Sequence, residues 1–192
     1  CLGGNQTSLT YKQSRVGNGL FDKVFRHIAG NGAELTLRPF TPEGGSDERQ
    51  YCSPGFNFPV GNIARSAYGA FPGYHNSLDT KAFMDINAIK ESIDTIESWL
   101  KLAEAGSTYI NTSPYGEPHL SKYDLYPAIN SSESGDKSSN NLEDGRYRLG
   151  LILQTLSHCD GNECMISLAN KLSIPLQKLH PIIEILEHNG LL

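Results

Sequence analysis

Residues 34–64 read ELTLRPFTPEGGSDERQYCSPGFNFPVGNIA, and this segment is the most informative about the architecture. Residues 34–38 alternate polar and apolar side chains and then meet Pro39, and residues 59–64 form a second apolar run. Both patterns are typical of short strands. The segment between them, residues 41–58, is rich in Gly, Ser and Pro, and loops of that length inside a compact domain are usually functional. We therefore expect two strands joined by a functional loop.

Helical patterns flank this stretch on both sides. Upstream, Leu20, Val24 and Ile28 recur at helical spacing until Gly30 and Gly32 end the run. Downstream, residues 85–105 carry apolar side chains every three or four positions, which predicts a long amphipathic helix. A helix, a strand, a loop and a strand in succession indicate an α/β domain. The apolar positions of the long helix are Ile86, Ile89, Ile93, Ile96, Leu100 and Ala103.

The last part of the chain has a different character. Residues 130–141 are Ser, Asn, Asp and Glu with almost no apolar side chain, which is typical of a flexible linker. Beyond them the sequence predicts three short helices with a tight turn at residues 173–175, an arrangement that suits a winged-helix-like module with Leu191 and Leu192 in its core. The predicted organisation is an α/β domain over residues 1–112, an irregular connector over 113–140 and the helical module over 141–192.

Composition sets limits on partners and compartment. The net charge of -5 gives no overall attraction to nucleic acid or to an anionic membrane surface. The sequence has neither the roughly 18 to 20 consecutive apolar residues of a membrane span nor the pattern of a signal peptide. We therefore expect a cytoplasmic protein that does not bind membranes. The four cysteines form no C-x-x-C pair and are expected to be buried free thiols.

Two irregular segments carry residues suited to chemistry. The run GGSDERQY at residues 44–51 concentrates the charges Asp47, Glu48 and Arg49, and a second segment holds Tyr74-His75 followed by Asp79. An imidazole is a good zinc ligand, and a nearby acid often orients its ring. Both segments are expected to meet at one end of the sheet, where α/β sites lie. The alternative is that His75 only caps a turn and Asp79 caps the following helix.

Four segments resemble a known family: TYKQSR at residues 10–15, GSDERQYCSPGF at 45–56, FPGYHNSLDT at 71–80 and PYGEP at 114–118. They are similar to the bacterial aminopeptidase-like family, which ends in a winged-helix domain. That family lies within the co-catalytic zinc aminopeptidase and glutamate-carboxypeptidase-like superfamily. The resemblance covers nearly all 192 residues. It implies the C-terminal part of a sheet-and-helix domain that hydrolyses N-terminal peptide or related amide bonds.

The resemblance also implies roles for single residues. His75 would bind one of two zinc ions, and Tyr74 would direct its hydroxyl at the oxyanion of the tetrahedral intermediate. Asp47 or Glu48 would hold the amine of a peptide or amino-acyl substrate, and Arg49 would hold a carboxylate or a neighbouring acid. Alternatively, these three charges pair with one another and only fix the loop.

The sequence also departs from the family pattern. The other histidine, the bridging aspartate and the glutamate pair of the superfamily are not in this chain, and Gly4 stands where an acidic ligand is expected. We therefore expect a fragment of a longer protein that is inactive by itself. Two alternatives remain: a non-catalytic ligand-binding homologue, or a regulator that acts through its helix-turn-helix tail. Because that tail offers few basic side chains, nucleic-acid binding is not expected, whereas docking or homo-oligomer formation is.

Overall fold

The computed structural model describes residues 2–4, 8–65, 73–126 and 139–192. The chain divides into two compact units, Cys1–Glu104 and Ala105–Leu192. The first unit combines strands with helices, and the second is mainly helical with two short strands. The mixed α/β fold class with a helical C-terminal module is thus confirmed.

The sheet of the first unit has three strands, with β1 (Leu9–Lys12) in the centre. β2 (Leu35–Arg38) runs parallel to β1, and β3 (Asn62–Ala64) runs antiparallel to it on the other side. Strands were predicted at the positions of β2 and β3, although β3 occupies only the last three residues of the apolar run. The central strand was not predicted.

Two helices pack with the sheet of this unit. α1 (Leu20–Gly30) and α3 (Ile86–Ala105) begin and end close to the predicted positions. Aromatic contacts join β1 to α1 and α1 to α3: Tyr11 of β1 stacks on Phe25 of α1 at a centroid distance of 4.2 Å, and Phe25 and Trp99 of α3 lie edge to face at 5.5 Å. All three side chains are buried. For α1 the periodicity identified the buried face, since Val24 and Ile28 are buried. For α3 the predicted apolar face was wrong: Ile86, Ile93 and Leu100 are exposed, and of the predicted positions only Ala103 is buried. The buried side of α3 is instead formed by Ala88, Ser92, Trp99, Leu102, Ala103 and Ala105.

The long loop between β2 and β3 is not irregular throughout. Residues Glu48–Tyr51 form a short helix, α2, whose first turn is closed by a hydrogen bond from the Gln50 amide to the Asp47 carbonyl. After α2 the buried thiol of Cys52 faces the carbonyl oxygens of Phe58 and Val60 at 3.3 and 3.2 Å. Local hydrogen bonds thus wind the charged centre of the predicted loop into one helical turn.

The second unit contains the three predicted helices, α4 (Ser139–His158), α5 (Met165–Leu172) and α6 (His180–His188). The turn between the last two places Ser173 in the left-handed region at φ 54°. Two strands that were not predicted, β4 (Thr108–Ile110) and β5 (Asp160–Cys164), pair antiparallel. β4 lies within the range 1–112 that the sequence assigned to the first domain, whereas its partner strand lies in the helical module.

The end of the chain closes the core of this module. Leu191 is buried, and its carbonyl accepts a hydrogen bond from the Thr112 amide at 3.1 Å. The expectation that Leu191 completes the core is confirmed, while Leu192 is only half-buried. Cys52, Cys159 and Cys164 are free and buried, as expected, while Cys1 lies outside the described residues. Within the described segments, no helix has both the length and the apolar character needed to cross a membrane.

Candidate functional site

A cavity of about 240 Å³ opens where the parallel strands β1 and β2 end. Carboxyl ends of parallel strands are where ligands bind in α/β sheets. The two strand ends contribute Lys12 and Arg38, and the long loop closes the opposite wall. The cavity therefore joins the sheet edge to the loop that the sequence singled out. Its lining consists of Thr10, Lys12, Arg38, Pro39, Thr41, Gly44, Gly45, Glu48, Asn62 and Ala64.

An ion pair between Lys12 and Glu48 forms the centre of this wall. The Lys12 Nζ lies 2.9 Å from the Glu48 Oε1, and the two side chains are only 12% and 2% exposed. The same ammonium donates to the carbonyl oxygens of Thr41 and Gly44 and lies 5.2 Å from the centre of the Phe40 ring. One cation on the central strand thus holds both ends of the segment between Phe40 and Glu48.

Glu48 is held as an ionised carboxylate in this setting. Burial alone would raise the pKa of Glu48, but hydrogen bonds from Lys12 and from the Ser46 amide, together with the ammonium charge, lower it below its ordinary value. The Ser46 amide donates to Oε2 at 2.9 Å, and the Asn62 amide group approaches the same oxygen at 3.5 Å. The carboxylate therefore ties β1, the loop and β3 together.

Gly45 fits this arrangement because it has no side chain. Its φ of +130° is a conformation that other residues rarely adopt. A Cβ atom there would lie 1.9 Å from Glu48 Oε1 and 2.6 Å from Lys12 Nζ. The glycine in the GGSDERQY run is therefore explained by the close approach of the backbone to the ion pair.

The three charged residues of this loop have different surroundings. Glu48 is buried, whereas Asp47 is exposed and its side chain accepts no hydrogen bond from the described residues. Arg49 donates to the carbonyl oxygens of Ser46 and Pro42 at 3.4 and 3.2 Å. The alternative that these charges pair with one another is wrong, because Glu48 pairs with Lys12 and Arg49 binds backbone. Substrate binding by Asp47, Glu48 and Arg49 stays a prediction.

Tyr74 and His75 form a separate feature on the second irregular segment. Their rings stack with centroids 4.1 Å apart and planes 8° from parallel. His75 is exposed, and its φ of 56° lies in the left-handed region, which is uncommon for residues other than glycine. Asp79 is exposed and does not cap the following helical turn, which begins after Thr80. The roles of Tyr74 as oxyanion donor and His75 as zinc ligand stay predictions.

The two predicted site segments were expected to meet. Among the described residues, neither Tyr74 nor His75 shares a hydrogen bond, ion pair or ring contact with Asp47, Glu48 or Arg49. The first part of the Tyr-His segment, residues 68–72, lies outside the described residues. Within the described part of the first unit, the loop-walled cavity and the stacked Tyr-His pair are thus two features that share none of these contacts.

Gly4, which occupies the expected position of an acidic ligand, is buried and its backbone forms a bridge with Met84. The Asp85 amide donates to the neighbouring Gly3 carbonyl at 2.9 Å. The backbone of Gly3 and Gly4 therefore pairs with the two residues that lead into α3. Asn5, which follows Gly4, lies outside the described residues.

Sequence reasoning missed Lys12 as a part of the site. The residue lay within the TYKQSR segment used for the family resemblance, but its partner Glu48 is 36 residues away. A lone lysine at the end of an unpredicted strand carries no local signal. Its role depends on strand order, which places β1 between β2 and β3.

The fold and the site define a class: an α/β unit with a loop-walled cavity at its strand ends, followed by a winged helix-turn-helix module. Residues 1–106 match the family described as "Domain of unknown function (DUF4910)". Because this match spans more than half of the chain, the chain belongs to that family. Residues 107–192 match the family described as "winged helix-turn-helix".

A named protein and a crystal structure, both from Clostridium acetobutylicum, are similar to this chain. One, named "Putative polysaccharide biosynthesis protein with aminopeptidase-like domain", is 38% identical over 120 residues, which make up 62% of this chain and 27% of that protein. The other is the crystal structure of a "putative peptidase", which matches 100% of this chain and 39% of its own with a TM-score of 0.69 and 27% identity. The chain thus spans well under half the length of either relative. The names support the aminopeptidase-like part of the predicted resemblance.

Proposed function

We propose that this chain supplies part of the active site of a zinc-dependent, aminopeptidase-like hydrolase that cleaves N-terminal peptide or related amide bonds. The observation that carries the proposal is the Tyr74-His75 pair. An exposed imidazole on a left-handed backbone is stacked at 4.1 Å on a phenol. Backbone conformations of this kind cost roughly 1 to 3 kcal/mol and concentrate at functional sites. The names of the two relatives support the same class.

The donors present fit one zinc ligand rather than a complete site. Among the described residues, no group of three or more His, Cys, Asp or Glu side chains could hold a metal ion. His75 would therefore bind zinc together with ligands from elsewhere in a longer protein. When bound, the ion supplies Lewis-acid polarisation and a water of lowered pKa. We accordingly propose that the 192-residue chain alone does not catalyse hydrolysis.

The other residues act on the substrate in this proposal. The hydroxyl of Tyr74 donates a hydrogen bond to the oxygen that gains negative charge when the carbonyl is attacked. The exposed carboxylate of Asp47 attracts the protonated amine of an amino-acyl substrate, while Arg49 is held by the carbonyl oxygens of Ser46 and Pro42. Glu48 does not contact the substrate in this proposal, and its ion pair with Lys12 fixes the loop that carries Asp47 and Arg49.

The test uses a longer family member that contains this chain together with the rest of the aminopeptidase-like domain. Zinc content is measured by elemental analysis, and turnover is measured with L-leucine p-nitroanilide. We expect bound zinc, turnover that requires zinc, and loss of zinc in His75→Ala. Tyr74→Phe is expected to keep zinc and to lower kcat by about 10²- to 10³-fold, the effect of losing one oxyanion donor.

A non-catalytic binding protein is the second candidate, and Gly4 favours it. The buried backbone of Gly4 bridges to Met84 at the position where the family pattern expects an acidic zinc ligand. The same measurements separate the candidates. One outcome is a longer protein that binds amino-acyl amides but neither binds zinc nor turns over the anilide. That result would contradict the proposed enzyme and support the non-catalytic binding protein.

A further inference from the structure

The cavity at the ends of β1 and β2 has a size and chemistry of its own. At about 240 Å³ it is smaller than the roughly 300 to 1,000 Å³ of sites that enclose whole small molecules. It therefore suits one side chain of a larger ligand. Its remaining walls are formed mostly by small or neutral residues, among them Gly44, Thr41, Ala64 and Asn62.

The two buried charged groups in the wall are already compensated. A lysine ammonium has three N–H donors, and Lys12 directs them at Thr41 O, Gly44 O and Glu48 Oε1. Glu48 in turn accepts from Lys12 and from the Ser46 amide. Arg38 also lines the cavity, but it is an exposed residue that stays in contact with water. An ionised side chain entering the cavity would thus lose its hydration without finding a free buried partner.

We infer that this cavity is a subsite for a single uncharged side chain of an amino-acyl or peptide ligand, and that Lys12 is the positioning residue that holds its loop wall. The inference rests on the proposed function for its ligand class. Lys12 lines the cavity, and its ammonium acts on the ligand through the loop: without it, Thr41, Gly44 and Glu48 lose the group that joins them to the central strand. The ion pair that holds this wall also accounts for the glycine at position 45, where a Cβ atom would collide with it.

The inference is tested by equilibrium binding to the 192-residue chain, observed through backbone amide NMR shifts. The ligands are L-leucinamide, glycinamide and L-glutamic acid α-amide. We expect leucinamide to shift the amides of Thr41, Gly44 and Asn62 and to bind more tightly than either other amide. Ala64→Leu, which fills the cavity, is expected to weaken leucinamide binding at least tenfold and to leave glycinamide binding unchanged. Ala64→Val is the smaller substitution if the leucine variant does not fold.

Matched controls separate the subsite from general effects. Ala82→Leu adds the same side chain at an exposed position that does not line the cavity, and it is expected to bind leucinamide like the parent chain. Lys12→Met is expected to broaden or shift the Thr41 and Gly44 amides and to reduce the preference for leucinamide over glycinamide, with Lys12→Arg restoring part of it. Equal binding of all three amides, no binding, preference for the glutamate amide, or insensitivity to Ala64→Leu would each overturn the inference.

These measurements involve neither zinc nor turnover, so the inference and the proposed function fail separately. Leucinamide binding in the cavity combined with no hydrolysis by a longer protein would contradict only the proposed enzyme. If a longer protein hydrolyses leucyl substrates faster than glycyl substrates and Ala64→Leu does not change that preference, only the subsite is contradicted.

Discussion

At the residue scale, Asp22 is a buried carboxylate in the first turn of α1 that anchors the segment after β1. Its Oδ1 accepts hydrogen bonds from the Tyr11 hydroxyl at 3.0 Å and the Ser14 amide at 2.9 Å, and its Oδ2 accepts from the Ser14 hydroxyl and from the Gly19 amide. Burial, followed by the charge of Asp22 and its hydrogen bond, raises the pKa of Tyr11 far above its ordinary value. The tyrosine therefore stays a neutral donor.

We predict that Asp22→Asn destabilises the chain by about 1 to 3 kcal/mol. An asparagine offers one acceptor oxygen instead of two, so at least one buried donor is left unsatisfied. Urea unfolding followed by circular dichroism measures the change. Asp94→Asn is the control, because Asp94 is an exposed residue of α3. Equal midpoints for the two variants would show that the network around Asp22 contributes nothing to stability.

At the element scale, the loop between β2 and β3 depends on the ion pair that joins it to β1. We predict that Lys12→Met destabilises the chain by about 3 to 5 kcal/mol, since it leaves the Glu48 carboxylate buried without its counter-charge. Limited trypsin digestion is expected to cut faster after Arg49 in the variant. The double variant Lys12→Met with Glu48→Gln is expected to regain part of the loss, because no charge is then buried.

The same pair gives a pH dependence with a defined sign. The pKa of Glu48 is lower in the folded chain than its ordinary value of 4.5. The pair therefore contributes its full stability above that value, and the contribution is lost as the pH falls through the lower folded pKa. Free energies of unfolding measured from pH 6 to pH 3 are expected to fall less steeply for Glu48→Gln than for the parent chain. An unchanged slope would contradict the assigned role of the pair.

The elements also show which features a sequence can predict. α1 and α3 were predicted because their apolar faces repeat over several turns, a signal contained within each helix. β1 has only four residues and no clear alternation, and it becomes a strand because β2 and β3 pair with it from both sides. β5 reads DGNEC, and four of its five residues are exposed, so only backbone pairing with β4 makes it a strand.

The residues of the candidate site also differ in whether the sequence alone can reveal them. Asp47, Arg49, Tyr74 and His75 were singled out because their side chains suit the chemistry, and local motifs carry that information. Glu48 was singled out with them, but its burial depends on Lys12, which reaches it from another strand. The cavity itself follows from the strand ends and the loop together, and no single segment encodes it.

At the scale of the whole molecule, the second unit carries a hydrophobic core of its own, with Ile152 of α4, Met165 of α5 and Leu186 of α6 almost fully buried. We predict that residues 105–192 expressed alone unfold in one cooperative transition, because β4, β5 and three helices supply this core from within the segment. Leu186→Ala is expected to lower its stability by about 2 to 5 kcal/mol, the usual cost of a cavity at a buried leucine. Glu187→Ala, at the exposed neighbouring position of the same helix, is the control. A broad, non-cooperative thermal transition for the isolated segment would contradict this assignment, because a core that closes on itself must melt as one unit.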